Sequence, residues 1–273
     1  MKSIKNTFLF TLILFTISAN AFQQNDSIPA HETFTIQSKL VGEVRTMNVW
    51  TPPGYKVSQE SLPVLYMPDG GLEEDFPHIA NTLADLISKN KIQPIILVGI
   101  ENTKRKKDLT GPTQVEEDKE IAPEVGQSAD FRAFINQELI PEINKKYRTT
   151  VKKGIIGESL AGLFVMGTFL LQPDNFDFYI AFDPSLWWNN HHYDKNAAKY
   201  VANFPDKKIT LWFATSSATG MHKAAKNMVK VLEKIPSDQL SWKYSDESKE
   251  KHHTIFRATK EKAIMWTLRN ALE

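Results

Sequence analysis

The segment GIIGESLAG, residues 154–162, decides the fold of this chain. Its apolar first half has the character of a buried strand, and the small and apolar residues after Ser159 have the character of a helix. The pattern Gly157-x-Ser159-x-Ala161 thus stands where a strand passes into a helix, which is the setting of the G-x-S-x-G turn. Such a turn lifts the serine hydroxyl above the sheet and directs the free N–H groups of the helix start toward it.

Ser159 has two interpretations. It is either the N-cap of the helix or a nucleophile held on a sharp turn. The sharp turn requires small neighbours: Gly157 lets the backbone bend, and Ala161 with Gly162 lets the helix pack close to the strand. Ala161 replaces the second glycine of the pattern, and this position tolerates a side chain as small as a methyl group. The strand before Ser159 and the helix after it favour the nucleophile.

Apolar runs and amphipathic segments alternate along most of the 273 residues. The pattern predicts strands over 33–39, 43–51, 62–67, 94–100, 152–157, 176–183, 208–214 and 240–246, and helices over 76–89, 129–147, 159–172, 221–235 and 254–272. This α/β alternation predicts a mainly parallel central sheet with helices on both faces. The first two strands, joined at Gly42, form a predicted antiparallel N-terminal hairpin at one edge, and the polar residues 101–127 form a long loop.

The charge of the chain is nearly balanced. Lys and Arg number 33 and Asp and Glu number 32, so the formal net charge is +1, and the basic residues are spread along the chain. We therefore do not expect a nucleic-acid partner, which would require a strong basic footprint. No cysteine occurs, so the folded chain relies on its core without disulfides.

The first 21 residues have the composition of a secretory signal peptide. Two lysines in MKSIKN precede the apolar run FLFTLILFTISA, and Ala19-Asn20-Ala21 has the small-x-small form of a cleavage site. The run is shorter than the about 20 residues of a spanning helix, which disfavours the alternative of a retained anchor. We expect an exported protein, periplasmic or secreted, in which residues 22–273 form a single domain with no integral membrane segment.

A serine hydroxyl becomes a strong nucleophile when a base accepts its proton. In the fold that carries this turn the histidine comes late in the chain, and KHHT, residues 251–254, lies between the last predicted strand and the final helix. Two adjacent histidines cannot both face the site, so His252 and His253 are alternatives. The other histidines have no such location: His31, His78, His191, His192 and His222. The pair at 191–192 lacks a carboxylate or cysteine at metal-ligand spacing, and we expect neither a metal nor a cofactor.

The carboxylate that would orient the histidine is not evident. Its usual place follows the strand at 208–214, where the sequence TSSATG contains no acid. Asp183 follows the preceding strand, at the carboxyl edge of the parallel sheet where active sites form, or else it caps the turn before Ser185. Acidic residues before the histidines are further candidates: Asp246, Glu247 and Glu250. A Ser–His dyad with the imidazole held by backbone or water is the remaining alternative.

Two backbone regions could stabilise the oxyanion of an acyl transfer. The Leu160 N–H follows the nucleophile directly, and the PDGG turn after an early strand offers the backbone of Gly70 and Gly71, unless it is only a turn. On the loop after Asp183, Trp187 and Trp188 either wall a substrate pocket or cover the core.

Five motifs in this order resemble the "putative esterase" branch of the α/β-hydrolase fold: LYMPDGG, VGIENTKRKKDLTGP, GESLAG, DPSLWW and the late HHT. That branch includes the enterochelin and salmochelin esterases and the esterase D relatives, and the resemblance covers roughly residues 30–272. It implies an α/β-hydrolase fold, a serine hydrolase of carboxylic esters, and Ser159 as the nucleophile. It also implies His252 rather than His253 as the base, because it aligns His252 with the family's histidine, which precedes a small residue and a Ser or Thr.

The resemblance further implies that Gly70 or Gly71 joins Leu160 in the oxyanion hole and that Arg105 binds substrate. Lys107 stands where the family often has a second arginine, and lysine binds anions as a point charge. The implied substrate is a siderophore trilactone or another small-molecule ester. An acetyl or feruloyl ester of a glycan is the alternative substrate. The alternative functions are an acyltransferase and a non-catalytic binding protein on the same fold. The oligomeric state is left open.

Overall fold

The computed structural model describes residues 26–120 and 124–272. The predicted signal peptide, residues 1–21, lies outside the described residues. The prediction of a single domain over 22–273 stays a prediction.

In the described part of the chain, eight strands form one sheet of order β1-β2-β4-β3-β5-β6-β7-β8. The strands are β1 Glu32–Gln37, β2 Val44–Trp50, β3 Leu62–Pro68, β4 Ile96–Ile100, β5 Thr149–Glu158, β6 Phe178–Phe182, β7 Ile209–Thr215 and β8 Leu240–Asp246. β2 is antiparallel to β1 and to β4, whereas all other neighbouring strands run parallel. The predicted fold class, with its antiparallel N-terminal hairpin on a mainly parallel sheet, is confirmed.

Helices connect the strands. They are α1 Phe76–Ser88, α2 Arg105–Leu109, α3 Glu116–Glu120, α4 Ser128–Phe134, α5 Ile140–Lys146, α6 Leu160–Leu171, α7 Trp188–Tyr200, α8 Met221–Leu232 and α9 Ile255–Leu272. A π-helical turn, Ile135–Leu139, joins α4 to α5 directly before Pro141, whose missing N–H cannot complete the α-helical hydrogen-bond pattern. Short 3₁₀ turns occupy Pro173–Asn175 and Val201–Asn203.

The core lies on both faces of the sheet, because successive strand residues point to opposite sides. Leu65 and the residues on its side pack against α1 and α9 through Phe76 and Ile264. Tyr66 faces the other side, where α4, α6, α7 and α8 pack, with Phe164 among the contacts. Because β3 to β8 run parallel, their carboxyl ends lie at the same edge of the sheet, which positions the residues that follow the strands.

Two segments differ from the sequence prediction. The predicted loop over 101–127 contains the short helices α2 and α3. The helix α7 was missed because its polar sequence WNNHHYDKNAAKY has no apolar stripe, and its first turn includes left-handed residues at Asn189, Asn190 and His191. No helix in the described residues is long and apolar enough to cross a bilayer.

Candidate active site

The turn at Ser159 has strained backbone geometry. Ser159 has φ 59° and ψ −117°, a left-handed conformation that non-glycine residues rarely adopt, and its N–H donates to the Phe182 carbonyl (3.0 Å). A Cβ on Gly157 would lie 2.7 Å from the Ala161 carbonyl carbon, and one on Gly162 would lie 2.9 Å from the Phe182 oxygen. The sharp strand-to-helix turn therefore depends on both glycines.

The Ser159 hydroxyl faces a histidine and does not cap the helix. Ser159 precedes α6, yet its side chain makes no capping hydrogen bond. Its Oγ lies 3.1 Å from Nε2 of His252, and Nδ1 of His252 lies 2.6 Å from Oδ2 of Asp183. These distances are within hydrogen-bond range, so Ser159, His252 and Asp183 form one connected chain. His253 is exposed.

Asp183 occupies a buried and fully bonded position at the end of β6. The Ser216 N–H (2.9 Å) and hydroxyl (2.6 Å) both donate to its carboxylate. Burial disfavours ionisation, but hydrogen bonds from His252 and Ser216 outweigh it and hold the pKa of Asp183 below its usual value. The bond to Asp183 in turn raises the pKa of the His252 imidazole above its ordinary value. A charged acceptor thus orients the ring.

The other acidic residues considered from the sequence have different partners. Asp246 lies 3.9 Å from His222, Glu247 accepts from Ser245 and Lys262, and Glu250 accepts from the Thr254 hydroxyl. Of the carboxylates left open by the sequence, the structure brings Asp183 to His252.

The turn after β3 holds glycines whose N–H groups already have acceptors. The Gly70 N–H donates to the Ile100 carbonyl (2.9 Å), and the Gly71 N–H donates to Oε2 of Glu74 (2.6 Å). A Cβ on Gly70 would lie 2.3 Å from Gly99, so a larger residue cannot fit. Leu160 begins α6, and its N–H has no acceptor within the helix. Of the three predicted oxyanion donors, the Leu160 N–H is the one for which the described residues show no acceptor.

Arg105 binds a carboxylate of the protein itself. Its Nε and Nη2 donate to the two oxygens of Asp69 at 2.7 and 2.6 Å, a bidentate pair. Asn102 Nδ2 donates to Asp69 Oδ1 (2.5 Å) and to Glu74 Oε1 (2.7 Å). Arg105 and Asn102 therefore hold the turn that contains Gly70 and Gly71. In the predicted role of substrate ligand, Arg105 would have to share its guanidinium with Asp69.

Comparison with known proteins places this arrangement in a family. The family model described as "Putative esterase" matches residues 38–267. The chain belongs to this esterase family. It is accordingly a hydrolase of carboxylic ester bonds, as the sequence resemblance implied.

Curated relatives and solved structures agree with this assignment. The esterase is 28% identical over 233 residues to the Ferri-bacillibactin esterase BesA of Bacillus subtilis, covering 77% of this chain and 76% of that protein. It is 26% identical over 122 residues to the Siderophore enterobactin esterase of Emericella nidulans, covering 43% and 39% of the two chains. A crystal structure of an IroE-like serine hydrolase from Shewanella oneidensis superimposes with a TM-score of 0.77 at 26% identity, covering 87% of this chain and 79% of that one.

The two tryptophans of the esterase's SLWW segment have different surroundings. Trp188 is 3% exposed, belongs to the core and donates its Nε1–H to the Gly111 carbonyl (2.9 Å). Trp187 is 36% exposed and packs at a tilt against Trp188. The two residues therefore fit different interpretations. Trp188 covers the core and is not open to substrate, whereas the Trp187 ring reaches the surface.

Sequence reasoning missed three residues of the esterase's site: Glu74, Asn102 and Glu158. Glu158 directly precedes Ser159, and burial raises the pKa of its carboxyl to about 7. The signals were available, because Glu158 is the variable residue of the serine motif and Asn102 follows the end of β4 in GIENT. Within the described residues, no group of three or more His, Asp or Glu side chains is arranged to hold a metal ion.

Proposed function

We propose that this chain is an exported serine esterase that acts through an acyl-enzyme. The observation that carries the proposal is the chain of contacts from Ser159 Oγ to His252 Nε2 (3.1 Å) and from His252 Nδ1 to Asp183 (2.6 Å). With Nδ1–H donated to Asp183, the Nε2 atom of neutral His252 is left as the acceptor for the serine proton. This is the arrangement that activates a hydroxyl at neutral pH.

The proposed reaction has two halves. His252 takes the proton of Ser159 as its oxygen attacks the ester carbonyl, and the same proton then goes to the leaving alcohol. Water next attacks the acyl-enzyme while His252 takes its proton, and that proton returns to the Ser159 oxygen as the acid is released. The Leu160 N–H stabilises the oxyanion, and the Gly71 N–H joins it when the Glu74 carboxylate moves off.

We propose a siderophore ester as the substrate. The relatives named for bacillibactin and enterobactin esterases support this class. The exposed Trp187 ring favours the second candidate, an acetyl or feruloyl ester of a glycan, since aromatic side chains stack on flat or apolar ligand faces. A panel of enterobactin, acetylated xylan and methyl ferulate separates them: selective turnover of enterobactin is expected, and preference for either of the others would reject the siderophore class.

Ser159→Ala tests the mechanism. We expect the variant to lose the turnover of a short p-nitrophenyl ester by roughly 10³-fold or more, because no nucleophile is left to form the acyl-enzyme. A fluorophosphonate probe should label the wild type at Ser159 and leave the variant unlabelled. Ser237→Ala, at an exposed serine between α8 and β8, is the matched control. Full activity of Ser159→Ala would reject the mechanism, and an unlabelled, inactive wild type would favour a binding protein.

A further inference from the structure

The basic segment 104–107 is neutralised by carboxylates of the protein. The pairs are Lys104 with Glu124 (2.6 Å), Arg105 with Asp69 (2.6 Å) and Lys107 with Glu43 (3.9 Å). Lys107 is also buried. A segment whose basic composition favours the binding of an anion is thus engaged within the fold.

The groups around Ser159 have an excess of negative charge. The charged groups that act electrostatically on Glu158 include His252, Asp183, Asp69, Asp75 and Arg105, which come from four segments of the chain. Arg105, the permanent cation of this set, is paired with Asp69, and the His252 ring, which is neutral in the reactive form, is hydrogen-bonded to Asp183. Two carboxylates, those of Glu158 and Asp75, are left over.

Within the described residues neither carboxylate forms an ion pair with a Lys or Arg, although the Lys260 ammonium attracts Asp75 from farther away. Asp75 lies 3.0 Å from His78, and burial lowers the pKa of the His78 imidazole, which is therefore neutral at pH 7. The Glu158 carboxylate has no hydrogen-bond or ion-pair partner in the described residues. It is half-buried beside a half-exposed Ser159, so it borders the space that an ester must enter.

We infer that Glu158 is a specificity-determining residue that makes this site select esters uncharged near the reacting carbonyl over esters carrying an anionic group there. Like charges in a partly desolvated site repel more strongly than in water, so an anionic substrate is disfavoured both on entry and at the transition state. Specificity thus comes from repulsion of the wrong substrate. The inference rests on the proposed serine-esterase function.

The test compares two esters of matched shape, the p-nitrophenyl esters of adipamic acid and of adipic acid. The free end of the first is an amide and that of the second is a carboxylate. We expect wild-type kcat/KM for the amide to exceed that for the carboxylate by about tenfold at pH 8 and low salt, and Glu158→Gln to reduce this ratio at least about threefold. Glu60→Gln, an exposed residue at the opposite end of β3, is the matched control and should leave the ratio unchanged.

The dependence on pH separates a charge effect from a structural one. Lowering the pH from 8 to 6 protonates Glu158, so the wild-type ratio should fall toward that of Glu158→Gln, whose own ratio should stay flat. Titration of His252 cancels, because both esters need the same neutral imidazole. Equal wild-type rates on the two esters, or a ratio unchanged by Glu158→Gln, would overturn the inference while leaving the esterase proposal intact. Turnover that survives Ser159→Ala would instead overturn the proposed function.

Discussion

The charge of the Asp183 carboxylate determines the protonation of its neighbour, His252. Asp183 stays ionised although it is fully buried, because His252 and Ser216 donate three hydrogen bonds to its carboxylate. That ionised acceptor selects the tautomer of His252 and raises its pKa. The basicity of Nε2 toward Ser159 therefore depends on a residue that does not contact Ser159.

Asp183→Asn should lower kcat/KM by roughly 10²- to 10⁴-fold, because an amide can hold the wrong tautomer of His252. The acidic limb of the pH–rate profile should also move to lower pH. Asp183 raises the pKa of His252, activity requires the neutral ring, and removal of the anion lets the ring lose its proton at lower pH. Profiles of both proteins on an uncharged ester measure the shift.

His253→Asn is the control for this variant, since His253 is exposed and adjacent to the base in sequence. It should keep the wild-type profile. An Asp183→Asn enzyme with an unmoved limb would show that Asp183 does not set the protonation of His252.

At the scale of elements, a short helix holds the turn of a neighbouring strand. Arg105 begins α2, and its bidentate pair with Asp69 fixes the turn after β3 that contains Gly71. Asp69 itself has φ 58°, a conformation that needs such support. The order of the segment after β4 is therefore coupled to the geometry of the turn that contains Gly70 and Gly71.

Arg105→Lys should lower kcat about tenfold to a hundredfold on an uncharged ester with little change in KM, because a lysine cannot form the two parallel bonds and the turn loses its alignment. Steady-state kinetics measure kcat and KM separately. Lys104→Gln, which removes an exposed pair on the same segment, should be near neutral. A rise in KM restricted to anionic esters would instead indicate that Arg105 binds substrate.

For the whole molecule, the site carries a cost in stability. The parallel strands bring Asp69, Glu158 and Asp183 to one edge, and burial among these carboxylates raises the pKa of Glu158 from 4.5 to about 7. Between those values the folded chain binds more protons at this group than the unfolded chain does. Ionisation of Glu158 therefore lowers the free energy of unfolding as the pH rises from about 4.5 toward 7, and this loss is absent at lower pH.

Glu158→Gln should raise the free energy of unfolding relative to wild type at pH 8, by on the order of 1–3 kcal/mol, because it removes the buried charge. The difference should shrink toward zero at about pH 3.5, where the carboxyl is mostly protonated in the unfolded chain as well as in the folded one. Urea denaturation at both pH values measures it, with Glu60→Gln as the exposed control. A gain of equal size at both pH values would point to packing and not to charge.

Much of this architecture could be read from local sequence. Strand and helix periodicity depends on neighbouring residues, so the predicted strands and most predicted helices lie within a few residues of those observed. The helix α7 escaped because its residues are polar on all sides and its first turn is left-handed. The turn at Ser159 was evident since it needs small residues at fixed spacing, a requirement that the sequence displays directly.

By itself, then, the sequence determined the α/β class, the order of the elements and the sharp turn that presents Ser159. Tertiary structure alone decided that Asp183 and not Asp246 lies beside His252, that Arg105 turns to Asp69, and that Trp188 is buried while Trp187 is exposed. The physical reason is that these contacts join residues far apart in the chain. Their distances follow from the register of β6 against its neighbours and from side-chain packing, which no local pattern of residues encodes.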